Sequence, residues 1–496
     1  MRKLFYHFNL LIVLTLVGSL VSTAQQKNNP NIIYIYADDL GYGELGCYGQ
    51  QKICTPNLDQ MAREGMRFTQ HYSSAPVCAP SRCMLMTGKN PGHSYIRGNY
   101  ELGGYSDDTE GGQMPLHPGA FTIAKMLKEK GYRTAMIGKW GMGVVGTSGS
   151  PLLHGFDYYY GYLDQKQAHN YYPTHLWEND KWDSLRNPVI QVHSSIDSTT
   201  ATDADFKKYI GTDYAPAKMT EKALSFINAN QKNSFFLYLP YTIPHLSLQV
   251  PEKYVTPYIN QFEEHPYYGQ SGYAPCKYPR ATYAGMITFL DEQVGIILTQ
   301  LKKLGLDNNT LVLFSSDNGA TFSAGVDHAF FNSVAGLRGL KMDLYEGGIR
   351  VPFIARWPGK VPANTVNDQV TIQYDLLATL ADLTHIPVKE TDGVSFLGGL
   401  LNKSSKSETR DFLYFEYPEN GGQIAVRIDH WKGIRKNIKK NPAAPWELYD
   451  LQADPFEKIN LAEKNPAILS KMNSIVETQH QHSHLAEWEF LHPKKK

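Results

Sequence analysis

The run Asn31-Ile-Ile-Tyr-Ile-Tyr-Ala37, closed by Asp38-Asp39 and then Leu40-Gly-Tyr-Gly43, decides the fold. A nearly unbroken apolar run of this length suits a strand buried on both faces, as in a parallel sheet covered by helices. The design recurs downstream. Thr310-Leu-Val-Leu-Phe-Ser-Ser316 ends in Asp317-Asn318-Gly319. Arg133-Thr-Ala-Met-Ile137 leads into Gly138-Lys139-Trp140, and Phe235-Phe-Leu-Tyr-Leu239 leads into Pro244-His245. Helix patterns lie between. Thr55 as N-cap and Pro56 at the first helical position predict a helix through Met66. Phe121 to Lys130, closed by Gly131, predicts another. From about Ala281 to Leu304, the apolar residues Ile287, Leu290, Val294, Ile297, Leu301 and Leu304 form one stripe. Strands alternating with helices predict an α/β fold, a large mostly parallel sheet flanked by helices. Ligands of such sheets collect at the carboxyl ends of the strands. The four polar clusters all sit there, so they are expected to converge on one site.

Outward from this core, the texture changes after about residue 400. Phe412 to Tyr417 and Gln423 to Ile428 read as a hairpin, Trp431–Arg435 and Trp446–Leu451 as further strands, and Asn465–Gln479 as a last helix. Together they predict a small C-terminal α+β subdomain, residues 401–496. At the other end, Arg2 and Lys3, the apolar Leu10–Leu20 and the small residues Ser22-Thr23-Ala24 have the three-part pattern of a signal peptide, 1–24. No Cys follows the apolar run, so no lipid anchor is expected. No later stretch is long and apolar enough for a membrane span. The protein is therefore expected to be exported, periplasmic or secreted.

The 496 residues carry 48 Lys+Arg and 48 Asp+Glu, a net charge of zero. No cationic excess is available to neutralise phosphates, so no nucleic-acid partner is expected. With 42% hydrophobic and 19% charged residues, the chain is not a disordered one. The five cysteines are Cys47, Cys54, Cys78, Cys83 and Cys276. An odd count in an exported chain leaves one thiol free or chemically special.

The segment Cys78-Ala-Pro-Ser-Arg82-Cys-Met-Leu-Met-Thr-Gly88 singles out Cys78. Pro80 suits the first turn of a helix, so Cys78 is expected at a helix N-terminus with Arg82 one turn on. Read plainly, that is an activated thiolate of lowered pKa, or else a buried structural Cys. The pattern Cys-x-Pro-Ser-Arg followed by Leu-x-Thr-Gly also resembles the signature of the formylglycine-dependent sulfatases, in the alkaline-phosphatase-like superfamily. The resemblance continues in order. It takes in Asp38–Gly43, Thr55-Pro-Asn-Leu-Asp59, Gly138-Lys-Trp140, Pro244-His245, Ser316-Asp-Asn-Gly319, and Lys341 with Tyr345-Glu-Gly-Gly348. It ends at Glu447-Leu-Tyr-Asp-Leu-Gln-Ala-Asp-Pro455. Six motifs in order, each at a suitable place in the pattern, are a specific signal.

The resemblance implies a catalytic domain over 25–400 that hydrolyses sulfate esters. It implies that Cys78 is converted to formylglycine by a maturation enzyme, with one Ca2+ held by Asp38, Asp39, Asp317, Asn318 and residue 78. The oxygen-rich set suits a hard cation, although strand-end Asx turns explain either pair by itself. The hydrated aldehyde is implied as nucleophile and Asp317 as base. Arg82 and Lys139 are implied as electrostatic supports. Lys341 and His245 are implied as sulfate contacts, with His245 protonating the leaving oxygen. One departure stands out: Gly141 occupies a position where the family often has His. His169 is the candidate replacement or sulfate contact. Arg97 and Asn99 are candidate substrate contacts, with loop structure as the plain alternative. The His480-Gln-His-Ser-His484 stretch reads as a polar tail or a metal site. The Gly46–Gln50 and Thr55–Asp59 stretches are similar to the branch of galactose, N-acetylgalactosamine and aryl sulfatases, so sulfated carbohydrate is the expected substrate. A phosphonate or phosphodiester hydrolase is the alternative, as is a sulfated-glycan binding protein if Cys78 stays unmodified.

Overall fold

A computed structural model describes residues 29–107, 109–388, 390–402 and 410–492. The expected signal peptide lies outside the described residues. A ten-stranded sheet forms the centre. Its order is Thr365–Asn367, Met66–Phe68, Phe353–Arg356, Thr310–Ser316, Asn31–Ala37, Phe235–Pro240, Arg133–Lys139, Tyr158–Tyr162, His175–Glu178 and Lys181–Ser184. The four strands expected to carry the chemistry are four adjacent parallel strands in its middle. Antiparallel pairs occur toward the two edges.

The first strand shows why its sequence does not alternate. Ile33, Ile35 and Ala37 enter one core with the helices Pro56–Arg63, Ala215–Ala229 and Pro279–Lys303. Ile32, Tyr34 and Tyr36 enter another with Cys78–Thr87, Ile123–Glu129 and Asp375–Thr384. Both faces are covered, so every residue is apolar or internally bonded. Gly138 lets the neighbouring strands meet at their ends. A Cβ there would lie 1.9 Å from the Pro240 carbonyl oxygen, and its φ is +141°.

The helix expected through Met66 stops at Arg63, and Met66–Phe68 is a strand of the large sheet. Thr55 does not cap that helix with its side chain. Its Oγ1 accepts from Gly46 N, at 2.8 Å. The cap comes instead from Asp291 on the long helix, whose carboxylate accepts Asn57 N at 3.1 Å and Leu58 N at 2.7 Å.

The C-terminal hairpin and two further strands form an antiparallel sheet, Leu413–Tyr417, Gln423–Ile428, Trp431–Arg435 and Glu447–Asp450. Phe415, Tyr417, Ala425 and Ile434 pack on Tyr72, Val77, Met84 and Leu344 of the main body. Tyr414, Ile424 and Val426 face the helix Pro466–Gln479 through Met472 and Val476. No helix among the described residues is long and apolar enough to cross a membrane.

Candidate active site

At the carboxyl ends of the central strands, the predicted side chains meet. Asp38, Asp39, Asp317 and Asn318 are wholly buried, and Cys78 is 2% exposed. Asp39 has a left-handed backbone, φ +65°, which Asp tolerates better than most residues. That conformation turns Asp39 N onto Asp317 Oδ1 at 3.0 Å. Ligand atoms of Asp38, Asp39, Cys78 and His245 all lie within 4.8 Å of one another.

Three cations neutralise the carboxylates. Arg82 donates to Asp317 Oδ2 at 3.2 and 2.8 Å and to the Lys139 carbonyl at 2.7 Å, and sits 3.3 Å from Asp38 Oδ2. Lys139 Nζ donates to Asp38 Oδ2 at 2.7 Å and lies 3.6 Å from Cys78 Sγ. Lys341 Nζ donates to Asp39 Oδ2 at 2.9 Å. Burial works against the Asp38 anion, but Lys139, His245, Arg82 and Lys341 together hold its carboxyl well below the usual range. Burial and then the neighbouring Asp38 charge push Asp317 up to about 7. Carboxylates crowded in this way favour a further cation between them.

The donors fit one. Asp38 Oδ1 and Asn318 Oδ1 are buried oxygens with no hydrogen-bond partner. Asn318 spends its Nδ2 on Asp39 Oδ1, at 2.7 Å, and on the Gly319 carbonyl. Its oxygen is therefore left for something else. Unpartnered buried oxygens are costly unless a cation or water meets them. The set Asp38, Asp39, Asp317 and Asn318 is all oxygen, the chemistry of a hard divalent ion.

The Cys78 helix spans Cys78–Thr87, with Cys78 as its first residue after Val77. Val77 has no capping oxygen. Asn99 Oδ1 takes that place, accepting Ala79 N at 3.0 Å. The activated thiolate is not borne out: burial raises the Cys78 pKa above the ordinary thiol value, and Lys139 and Lys341 only partly oppose it. All five cysteines are free.

His245 Nδ1 meets the Leu246 carbonyl at 2.7 Å, which assigns the proton to that nitrogen and turns Nε2 to the pocket, 3.7 Å from Asp39 Oδ2. Burial and then Lys341 lower its pKa to about 4. His169 stacks on His245, ring centres 5.1 Å apart, and its Nδ1 is unpartnered. His193 and Tyr273 complete this aromatic wall, with ring centres 5.2 and 5.0 Å from that of His169. Neither belongs to a strand-end motif, so sequence reading missed both. It also missed Gln373, which accepts from Tyr36 Oη at 2.6 Å and Ser81 Oγ at 2.8 Å, and donates to the Ser316 carbonyl. That one amide ties two strand ends to the Cys78 helix.

Arg97 is a correction. Its guanidinium is buried and bonded to Glu416 at 2.7 Å, the Ser94 carbonyl at 3.0 Å and the Gly92 carbonyl at 2.7 Å, so it serves the loop structure rather than an open pocket. Asn99 is next to the site, but its oxygen serves the helix. Gly141 has φ +73°, and a Cβ there would lie 3.0 Å from Gln165 Cγ. The departure at this position is therefore built into the backbone.

Comparison with known proteins agrees with this geometry. The model of the sulfatase family matches residues 30–386, and that of the N-sulphoglucosamine sulphohydrolase C-terminal region matches 340–482. N-acetylgalactosamine-6-O-sulfatase of Bacteroides thetaiotaomicron is 30% identical over 92% of this chain and 94% of its own length. Arylsulfatase A of Homo sapiens is 30% identical, over 90% of this chain and 87% of its own. The solved structure of Ps i-CgsB superposes with a TM-score of 0.73 at 29% identity, covering 91% of this chain and 94% of that one.

Proposed function

The chain belongs to the sulfatase family, and from that premise we propose that it removes sulfate from sugars by way of Cys78 in its formylglycine form, with one Ca2+ alongside. Sulfuric ester hydrolysis is the family's activity. The observation that carries the finer reading is the meeting of Cys78, Lys139, Lys341 and His245 beside two buried, unpartnered oxygens, Asp38 Oδ1 and Asn318 Oδ1.

Asp38, Asp39, Asp317 and Asn318 would hold the ion, which when bound would draw charge from the sulfate oxygens. Formylglycine, as its hydrate, would supply one hydroxyl to attack sulfur and a second to release the sulfate. The Cys78 Sγ stands in for a hydroxyl oxygen of that hydrate. Lys139 Nζ, 3.6 Å from it, is placed to stabilise negative charge on that oxygen. Lys341, with its side chain 13% exposed, closes the far side and suits a sulfate oxygen. His245 presents Nε2 to the pocket; that nitrogen would first take up a proton from solvent, which a bound anionic ester favours, and would then give it to the leaving oxygen. Arg82 touches no open space. It positions Asp38, Asp317 and the Lys139 carbonyl. His169, His193 and Tyr273 form the wall on which a sugar ring would rest.

The N-acetylgalactosamine-6-sulfatases among the relatives support a galacto-configured sugar bearing its sulfate at the 6-position. The leader pattern of residues 1–24 supports export, and Cys78 implies a formylglycine-generating enzyme as a partner in maturation. The test is sulfate release from position-defined sulfated galactose, N-acetylgalactosamine, N-acetylglucosamine and uronate sugars, beside phosphonate and phosphodiester substrates. The expected result is release from 6-sulfated galacto-sugars, lost in Cys78→Ala. Faster turnover of a phosphorus ester, or undiminished sulfate release by Cys78→Ala, would overturn the mechanism.

A further inference from the structure

Away from the strand ends, two imidazoles gather on one carboxylate near the C-terminus, and a third ring, that of His492, lies beside them with its Nε2 3.6 Å from Glu477. His480, His482 and Glu489 each place a ligand atom within 4.8 Å of the others. The His492 ring centre lies 5.5 Å from that of His480 and 6.2 Å from that of His482. Glu489 oxygens stand 3.0 and 3.3 Å from His480 Nε2, and 3.0 Å from His482 Nδ1. Neighbouring ligands of a tetrahedral ion bound at about 2.0–2.1 Å are themselves about 3.3 Å apart. The cluster therefore already has the spacing of a coordination sphere.

Proton counting leaves two states of the cluster. His480 faces two carboxylates, Glu416 Oε2 at 2.9 Å from Nδ1 and Glu489 at Nε2. A neutral imidazole has one N–H. If that proton serves Glu416, the Nε2 lone pair faces an anion. Glu489 remains an anion because the backbone N–H groups of Ser483 and His492 bind it, at 3.1 and 3.0 Å. A cation between them turns the opposed pairs into ligands. Glu416 is in turn fixed by Arg97, at 2.7 Å, and by Tyr414 Oη, at 2.7 Å. A ligating His whose other nitrogen is held by an anchored carboxylate is the arrangement that orients metal-bound imidazoles. A protonated His480 bridging the two acids is the competing state.

We propose that His480, His482 and Glu489, with His492 alongside, bind a divalent transition ion, Zn2+ by ligand type, at a site separate from the strand-end pocket. Imidazole nitrogens select such an ion, whereas the all-oxygen strand-end set suits Ca2+. The ion closes the segment 480–489 on itself, and the His480 contact to Glu416 anchors that closed segment to the C-terminal sheet. The segment it pins lies along the loop 90–99: Gln481 N donates to the Gly92 carbonyl at 3.2 Å, and the His484 ring stacks 3.9 Å from that of Tyr95. Asn99, which caps the Cys78 helix, ends that loop. The inference does not rest on the sulfatase reading.

The test uses the full, untagged chain carrying Cys78→Ala, to remove the buried thiol, and saturated with Ca2+. Zn2+ is titrated by calorimetry, and Co2+ is added as an absorbance probe of tetrahedral N/O ligation. One saturable equivalent and a rise in Tm are expected. His482→Ala should weaken binding about tenfold or more and lose the rise in Tm. The His482 side chain is 66% exposed, so its replacement leaves the fold intact. No saturable equivalent, or one that His482→Ala retains undiminished, overturns the proposal and leaves the protonated bridge.

Discussion

Each site residue acts through the atoms left over after its structural bonds are counted. Arg82 is committed to such bonds. Its guanidinium binds Asp317, Asp38 and the Lys139 carbonyl in a wholly buried setting. Arg82→Ala should therefore cost about 3–5 kcal/mol, the usual penalty for unpairing buried charges, read as a lower urea midpoint together with lost sulfate release. Cys78→Ala should abolish release and leave the urea midpoint within about 1 kcal/mol of wild type, since it trades one small buried group for another. Gly141→His should not rescue anything. At φ +73° a non-glycine residue pays about 1–3 kcal/mol, so a lower Tm with no gain in sulfate release is expected. Legible in the sequence were the residues at strand ends, where a buried run stops abruptly in Asp, Asn, Lys or His, and Cys78, Arg82 and Lys341, which the family resemblance singles out. Gln373, His193 and Tyr273 were not legible. They come from loops with no periodicity to mark them, and their roles exist only in three dimensions. Arg97 shows the converse: a charged loop residue near the site reads as a substrate contact until its carboxylate partner, Glu416, arrives from more than 300 residues away.

At the scale of elements, two helices share one device. Both carry Pro in their first turn, and both are capped by a distant side chain rather than by their own N-cap residue. Asp291 caps Pro56–Arg63, and Asn99 caps Cys78–Thr87. Local sequence rules expect the cap next door, which is why Thr55 was assigned a role that Asp291 performs. Asp291→Ala would strand two backbone N–H groups and the Asn57 amide at once. A loss of about 1–3 kcal/mol is expected for such unsatisfied donors, measured by chemical denaturation, whereas Thr55→Ala should cost less. Strands fared better than caps. The central four were legible to within a residue or two, because a strand buried on both faces writes its environment into consecutive residues. Met66–Phe68 was not, since three residues are too few to override the helix pattern leading into them.

At the scale of the whole molecule, the C-terminal sheet is tied to the helix Glu346–Ile349 by a buried cluster of Glu346, Glu457, Lys432 and Arg350. Lys432 Nζ lies 2.9 Å from Glu346 Oε1 and 3.0 Å from Glu457 Oε1, and Glu457 also accepts Glu346 N at 2.7 Å. Arg350, 3.5 Å from Glu346, adds a second cation on that side, so Glu457 is the carboxylate left short of charge. Burial raises the Glu457 pKa from its ordinary 4.5 to about 7, with the Glu346 charge adding to the rise and Lys432 opposing it. The folded value is thus above the unfolded one. The stability gained by protonation is fully present below pH 4.5 and is lost as pH rises through 7. Glu457→Gln should flatten that fall and be more stable than wild type at pH 8, as read from urea midpoints between pH 5 and 8. An unchanged slope would remove Glu457 from the joint.

The order of the central strands also sets a clock. Cys78 is made early, yet the strands that enclose its pocket, Phe235–Pro240 and Thr310–Ser316, emerge much later. During synthesis at about 5–20 residues per second, the roughly 240 residues between Cys78 and Ser316 take about 12–48 s to appear. Any catalyst that must grip the Cys78 side chain has that interval in which the thiol lies open on a nascent chain. Once the last central strand docks, the same side chain is 2% exposed and is sealed from another protein's active site.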